Sequence, residues 1–342
     1  MGSVASAPKM SVIVITPDNF DTVRRILAAL RRQTAAHELE IVFVSPDPVP
    51  AGLTDSDVEP FCCHRSVATD DTSSTARMRA LGTEAASAPV VAFCEDHCFP
   101  APGWAQALIA RHEQNWAGVG AVVENANPGS SISWSNLIIE YGDWLAPHDA
   151  GPIHHIGGHN SSYKREVLVA LGEVLESKLE AESTMQWELA QTGHRFFLEP
   201  EARIFHTNME MLWASLHGQF SGGRLFAANR CRGWPLARRG LYCAASPLIP
   251  MVRLAKCLST LRRIGCLWML PRLLPSLALL LLANGIGEMF GYGLGPGKSV
   301  QSVTEIEFHR ERFTRRGARR VGNDPAPEAD NRVGPRSGEV VR

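Results

Sequence analysis

The chain has 342 residues with a formal net charge of −1 at pH 7, and 20% of its residues are charged. This length suits one large domain with appended segments, and the near-zero net charge argues against a nucleic-acid partner bound by bulk electrostatic attraction. The eight cysteines form no CxxC pair and lack the even spacing of secreted disulfide frameworks, so we expect reduced thiols.

The first half of the chain alternates between strand patterns and helix patterns. Apolar or β-branched runs at 11–16, 40–44 and 90–94 predict strands, and the stretches at 22–33 and 74–86 predict helices. This alternation predicts parallel strands joined by crossover helices. Ligands of such sheets gather at the carboxyl ends of the strands, so the residues that follow each run are candidate site residues.

The run at 90–94 is followed at once by Glu95, Asp96 and His97. In an extended chain the side chains of Glu95 and His97 point to the same side, so both can reach one divalent cation while Asp96 points elsewhere. Taken alone, the same pattern also fits a solvated turn after a strand.

Further elements are predicted as far as residue 206. A helix ends near 114, a strand occupies 118–124, and a glycine-bearing loop covers 153–163. Another helix begins near Glu182, and the stretch 195–206 is typical of a hairpin-like pair of strands.

The last third of the chain is apolar and basic. Residues 248–294 are interrupted by prolines and arginines, and their longest charge-free run, 273–287, is shorter than the ~20 residues that a spanning helix needs. Ten basic and no acidic residues lie between 224 and 272, which suits an anionic membrane surface. We therefore favour proline-broken helices lying in one leaflet, with a single span or helices packed on a soluble domain as alternatives.

These patterns divide the chain into four segments. We expect a disordered N-terminus at 1–9 and an α/β domain at 10–230. A helical membrane-associating region at 231–297 and a mostly disordered tail at 298–342 follow.

Six short motifs follow one another along the α/β domain. They are Thr75-Ala76-Arg77, Glu95-Asp96-His97, Pro102-Gly103-Trp104, Gly157-Gly158-His159-Asn160, Glu182 and His206. In this order they resemble the family 2 glycosyltransferases with the GT-A fold, over about residues 11–230. Better-known members carry Asp-Asp-Asp or Asp-x-Asp at the triplet, whereas Glu-Asp-His is similar to a bacterial subgroup. The resemblance implies an α/β fold with a Rossmann-like, mostly parallel sheet flanked by helices.

The resemblance also implies a divalent cation beside the diphosphate of a nucleoside diphosphate sugar, where it neutralises the leaving group. It assigns His97 and His206 as ligands, with Glu95 as a third candidate. Imidazole ligands favour Mn²⁺ over Mg²⁺. Asp96 would then bind a ribose hydroxyl.

Glu182 matches the position of the family's catalytic base, an acidic residue that opens a helix, and Glu180 is the reserve candidate. In the alternative interpretation, Glu182 only stabilises the N-terminus of its helix. The family also places Gly158, His159 and Asn160 on the acceptor side, where glycine permits close backbone approach.

The donor nucleotide is expected where the first two strands end. The residues at these ends are Thr16, Pro17, Asp18 and Asp47. Arg77 could reach the base or the phosphates. The family's usual Asp at the end of the second strand falls at Ser45, so the identity of the nucleotide stays open.

The Gln-x-x-Arg-Trp signature of processive polysaccharide synthases is missing from the sequence. We therefore predict a non-processive enzyme, and the resemblance implies an inverting, metal-dependent hexosyltransferase of the cell envelope. It would act at the cytoplasmic face of the membrane on a hydroxyl of a lipid-linked or membrane-proximal acceptor. One alternative is a sugar nucleotidyltransferase, although no glycine-rich basic loop follows the first strand. The other is an inactive sugar- or lipid-binding scaffold.

Overall fold

The structure is a computed structural model that describes residues 7–17, 23–47 and 52–315. Its strands are β1 (Met10–Ile15), β2 (Leu39–Ser45), β3 (Cys63–Ala68), β4 (Val90–Phe93), β5 (Cys98–Pro100), β6 (Gly118–Asn125), β7 (Gly151–Ile153), β8 (Ser161–Lys164) and β9 (Phe196–His206). Its helices are α1 (Arg24–Arg31), α2 (Asp55–Val58), α3 (Thr75–Ala85), α4 (Trp104–His112), α5 (Ser131–Tyr141), α6 (Arg165–Val169), α7 (Leu175–Leu179), α8 (Glu182–Gln191), α9 (Leu212–Arg230), α10 (Leu236–Ala245), α11 (Ile249–Arg263), α12 (Leu270–Leu294) and α13 (Ser299–Phe308).

The strands form one mixed sheet in the order β3-β2-β1-β4-β8-β6-β9-β5, and β7 pairs with β9. Strands β1 to β4 are parallel, β8 runs antiparallel to both of its neighbours, and β6 is parallel to β9. The predicted α/β architecture with flanking helices is confirmed. The sheet is less parallel than predicted because β8 runs antiparallel to β4 and β6, and β5 and β7 run antiparallel to β9.

Alternating side chains of the first strands enter two apolar layers. Val12 and Ile41 pack on one face of the sheet with Leu27 of α1 and Trp104 of α4. Ile13 packs on the other face, together with residues of α3, α7 and α8. Because both faces are covered, β1 and β2 are mostly apolar, as is typical of parallel sheets.

The stretch 195–206 forms one strand, so the prediction of two hairpin strands is wrong. Strand β9 pairs with β6 along its whole length, with a register shift between Ala121 and Val122. Ala121 pairs with Glu199, but the next residue of β6, Val122, pairs with Arg203. The segment of β9 around Pro200 therefore forms a bulge. Proline cannot donate to a ladder, and a bulge is where a strand tolerates it.

The apolar region forms helices that proline does not break. Pro271 lies in the first turn of α12, and Pro275 lies inside that helix, which nevertheless runs for 25 residues. Proline is tolerated in a first turn because the N–H groups there have no helical partner. The prediction of proline-broken helices is therefore wrong for α12.

Two stretches are long and apolar enough to cross a membrane by length and composition, Leu236–Arg263 and Leu267–Leu294. One face of α12 packs closely along α9. A Cβ at Gly287 would lie 2.1 Å from the carbonyl oxygen of Phe220, so the two backbones approach as only glycine allows.

Helix α13 and a 3₁₀ turn at Arg310–Phe313 follow the apolar helices. The prediction of a mostly disordered tail from residue 298 is therefore wrong for this part of the chain. The tail from 316 onward and residues 1–6 lie outside the described residues.

Candidate active site

The Glu-Asp-His triplet lies in a turn. Strand β4 ends at Phe93, and the backbone N–H of Cys98 donates to the carbonyl oxygen of Glu95 at 3.0 Å. This turn brings Nε2 of His97 to 3.3 Å from Oε2 of Glu95. The two side chains therefore converge as predicted, but through a turn and not through the alternation of an extended strand.

His206 reaches the same carboxylate from the end of β9. Strands β5 and β9 pair with Cys98 opposite His206, which sets the two histidine rings 5.0 Å apart between centroids. Nε2 of His206 lies 3.6 Å from Oε2 of Glu95. Residues more than 100 positions apart in the sequence thus meet because adjacent strands carry them.

Each histidine is oriented through its other ring nitrogen. Nδ1 of His97 lies 2.9 Å from Oδ1 of Asp96, and Nδ1 of His206 lies 2.8 Å from Oδ1 of Asn208. The amide nitrogen of Asn208 donates to Asn125 at 3.1 Å, so its oxygen is the acceptor for His206. Among the described residues, both Nε2 atoms are buried without a hydrogen-bond partner, as suits metal-binding imidazoles.

Other polar groups hold the Glu95 carboxylate in place. Asn160 donates to Oε2 of Glu95 at 2.6 Å, Tyr141 lies 3.3 Å from the same oxygen, and the Cys98 thiol donates to it at 3.2 Å. Nδ1 of His159 lies 3.3 Å from the other oxygen. Asn160 and His159, predicted on the acceptor side, therefore contact the Glu95 carboxylate directly.

The electrostatics of the cluster favour an ionised Glu95. Burial raises the pKa of Glu95, but the charge of His97 and contacts with both histidines outweigh burial and hold the pKa well below its usual range. Burial lowers the pKa of His97, but the charge of Glu95 outweighs it and raises the pKa to about 10, so a cation that binds here must displace the proton of His97. Burial raises the pKa of Cys98 well above its usual value, so the thiol stays protonated and acts as a donor.

These residues fit a divalent cation. One ligand atom from each of Glu95, His97, Cys98 and His206 lies within 4.8 Å of the others. Two imidazole nitrogens and a carboxylate are a common ligand set for transition metals. The unpartnered Nε2 atoms face the carboxylate that such an ion would share with them.

Glu182 lies beside this cluster in a buried ion pair. Nη1 of Arg79 donates to its Oε1 at 2.6 Å, and both side chains are at most 5% exposed. Its Oε2 has no hydrogen-bond partner among the described residues. That oxygen faces Gly158, where a Cβ would lie only 2.4 Å away. Gly158 thus leaves room for a free carboxylate oxygen next to His159.

A cavity at the carboxyl ends of β1 and β4 reaches part of this site. Its lining includes Thr75 and Arg79 of α3, the triplet, and His159. It also includes Glu307 and Phe308 of α13. Arg79 therefore lines this cavity while it pairs with Glu182, and the sequence had given no sign of its role.

The predicted donor residues lie at the strand ends. The N–H of Thr16 donates to Val44 at 3.0 Å, Pro17 is half-buried, and Asp47 is exposed with its carbonyl oxygen bound to the Ser45 hydroxyl at 2.7 Å. Asp18 lies outside the described residues.

Arg77 points away from the cavity lining. It faces Glu176 at 3.3 Å and Asp71 at 3.7 Å, with 43% of its side chain exposed. The reserve candidate Glu180 binds Arg232 at 2.8 Å. Both side chains are therefore engaged elsewhere in this structure.

Sequence reasoning overlooked Glu307. Its Oε2 lies 3.7 Å from Nε2 of His97, and Arg310 bridges Glu307 and Glu140. The helical spacing of Glu307 and Arg310 was a usable signal, but it lay in a stretch predicted to be disordered.

Residues 11–172 match the family model described as Glycosyl transferase family 2. This segment of the chain belongs to glycosyl transferase family 2. Glu95, Asp96, His97 and His159 lie inside the matched segment of this glycosyltransferase. Glu182, His206 and Glu307 come after it in the sequence.

Among solved structures, the glycosyltransferase is similar to the crystal structure of S. aureus TarS 1–349 in complex with UDP. The two share 15% identity with a TM-score of 0.43, over 82% of this chain and 90% of that chain. No curated protein matches the sequence.

Proposed function

We propose that this glycosyltransferase is inverting, metal-dependent and non-processive, and that it moves a sugar from a nucleoside diphosphate sugar to an acceptor hydroxyl. One observation carries the proposal. Two buried imidazole nitrogens without a hydrogen-bond partner face the Glu95 carboxylate. A second carboxylate, that of Glu182, has a free oxygen near His159. A cation site with a separate base is what direct displacement from a diphosphate requires.

Glu95, His97 and His206 hold the cation, and Asp96 and Asn208 keep the imidazoles in the required tautomer. When bound, the cation neutralises charge on the departing diphosphate. Because two of the ligands are imidazoles, we propose Mn²⁺ in preference to Mg²⁺. In addition to orienting His97, Asp96 contacts a ribose hydroxyl of the donor.

Glu182 acts as the general base. Arg79 occupies Oε1 and fixes the carboxylate, so Oε2 is the atom that accepts the proton of the acceptor hydroxyl. The hydroxyl oxygen then attacks the anomeric carbon as the bond to the diphosphate breaks, which inverts the configuration. The buried ion pair supports this role over simple stabilisation of the N-terminus of α8, which would not require burial.

The nucleoside lies at the ends of β1 and β2, near Thr16, Pro17, Asp18 and Asp47. Arg77 reaches the donor only if it leaves Glu176 and Asp71. Gly158, His159 and Asn160 form the wall between donor and acceptor. The contacts of His159 and Asn160 with Glu95 support this intermediate position.

The acceptor is lipid-linked or membrane-proximal, and the enzyme works at the cytoplasmic face of the membrane in envelope synthesis. This proposal is supported by exposed apolar side chains on α10, α11 and α12 and on the turns between these helices. They include Leu236, Leu241, Leu248, Met251, Val252, Trp268, Leu282, Ile286 and Leu294.

Helix α12 lies in the interface and does not cross the bilayer. Half of the apolar window of Leu267–Leu294 is buried inside the protein, against 11% for Leu236–Arg263. Because half of this window is buried inside the protein, α12 cannot be surrounded by lipid. If the helix lies in one leaflet, one of its faces can pack on the protein while the opposite face contacts lipid.

The experiment is an assay of the purified protein with UDP, GDP and dTDP sugars, with and without Mn²⁺. We expect Mn²⁺-dependent thermal stabilisation with at least one nucleotide and release of the nucleoside diphosphate. Release of pyrophosphate would instead indicate a nucleotidyltransferase, and no stabilisation with any nucleotide would indicate an inactive scaffold.

A further inference from the structure

Helix α13 returns the chain from the apolar helices to the active site. Ile306 packs with Met209 and Ala214, against the start of α9. Phe308 is buried in the same apolar layer as Ile13 and Phe93. Glu307 lies between these two anchors, and its side chain enters the cavity that holds the triplet.

The Glu307 carboxylate is placed like a metal ligand. Its Oε2 is buried without a hydrogen-bond partner among the described residues and lies 3.7 Å from Nε2 of His97. One oxygen of Glu307 is also within 4.8 Å of ligand atoms of Glu95 and His159. Neighbouring ligands of a six-coordinate ion are roughly 3 Å apart, and opposite ligands roughly 4.2 Å, for bonds near 2.1 Å. The 3.7 Å separation is shorter than that between opposite ligands, so both atoms could reach one ion.

Arg310 orients the Glu307 carboxylate. The Arg310 side chain is only 4% exposed and binds the other oxygen of Glu307. It also lies 3.3 Å from Glu140, which itself accepts a hydrogen bond from Gln219 of α9 at 3.1 Å. The ion pair therefore holds Oε1 of Glu307 and leaves Oε2 directed at His97.

We propose that Glu307 is a further ligand of the divalent cation, supplied by α13 from outside the segment that matches the family model. The inference rests on the proposed metal dependence. Cation binding and the docking of α13 then stabilise each other, which couples the helices proposed to lie on the membrane to the active site.

The test measures Mn²⁺ binding to the full chain by isothermal titration calorimetry, without nucleotide. Glu307→Gln keeps the size of the side chain and an oxygen for Arg310, but it weakens the ligand. We expect the Kd for Mn²⁺ to rise tenfold or more. Glu305→Gln is the matched control, since Glu305 lies on the same helix with 66% of its side chain exposed, and its Kd should not change.

A second readout follows the docking of α13. Tryptic cleavage after the exposed Arg312, identified by mass spectrometry, should become slower with Mn²⁺ in the wild type but not in Glu307→Gln. Equal Kd values for wild type and Glu307→Gln would overturn the assignment of Glu307 and leave the proposed metal dependence intact. Tighter binding by the variant would show that Glu307 competes with the cation. A wild type that binds no Mn²⁺ would overturn both proposals.

Discussion

Arg79 and Glu182 form a buried ion pair that links α3 to α8, with 2.6 Å between Nη1 and Oε1. Arg79 is itself fixed, because it donates to the Thr75 hydroxyl at 3.0 Å and to the Thr75 carbonyl oxygen at 3.2 Å. One oxygen of Glu182 is thereby occupied and the other is free. The position of that free oxygen determines the first two predictions.

Glu182→Gln should lose transfer activity while keeping donor binding. The amide can still accept a hydrogen bond from Arg79, but it cannot take a proton from the acceptor hydroxyl. General base catalysis contributes on the order of 10²- to 10⁴-fold, and we expect kcat to fall by this amount. Calorimetry should give an unchanged Kd for the donor nucleotide, and full activity of the variant would exclude Glu182 as the base.

Gly158→Ala should impair the base without removing it. The added Cβ would lie 2.4 Å from Oε2 of Glu182, so the carboxylate must move. Displacement of a catalytic group by about 1 Å can cost on the order of 100-fold in rate. Gly157→Ala is the control, since its nearest neighbour, Trp144, would lie at an ordinary 3.6 Å. Steady-state kinetics should show a large loss of kcat only for Gly158→Ala, and equal losses would contradict the argument.

The double variant Met251→Glu and Val252→Glu should detach the protein from membranes. Both side chains are 70% exposed, and burying a side chain of this kind in an apolar phase contributes roughly 1.5–3 kcal/mol. We expect at least about tenfold weaker binding to anionic vesicles in flotation assays. Val174→Glu, at an exposed position outside α10–α12, should bind as the wild type does. Unchanged binding of the double variant would remove these helices as the membrane surface.

His112 should make the protein less stable in acid. Burial lowers its pKa to about 3, and its Nε2 lies 2.9 Å from the Ser162 hydroxyl. Between the unfolded pKa near 6.5 and the folded value, only the unfolded chain binds the proton. The free energy of unfolding should therefore fall as the pH drops below about 6.5, by up to about 1.4 kcal/mol per pH unit from this group.

Urea denaturation between pH 7 and pH 5 checks the His112 prediction. His112→Gln keeps a hydrogen-bonding side chain but does not titrate, so its stability should depend less steeply on pH. The same slope for both proteins would show that His112 is not responsible.

The sequence predicted the parts of the site that lie at strand ends. Glu95 and His97 could be selected because they follow an apolar run that is visible in the sequence, and His206 was selected through the resemblance to the family. The pairing of Arg79 with Glu182 could not be predicted, since a helical arginine gives no sign of its partner. Glu307 was missed because α13 derives its order from packing against α9, which a local pattern does not contain.

The central claim is that Glu95, His97 and His206 bind one divalent cation. The most direct measurement is the thermal shift of the purified protein on adding Mn²⁺, in the wild type and in His97→Ala and His206→Ala. A ligand at 100 times its Kd stabilises the native state by about 2.7 kcal/mol. We expect a clear rise in Tm for the wild type and almost none for either variant. Equal shifts in all three proteins would contradict the account.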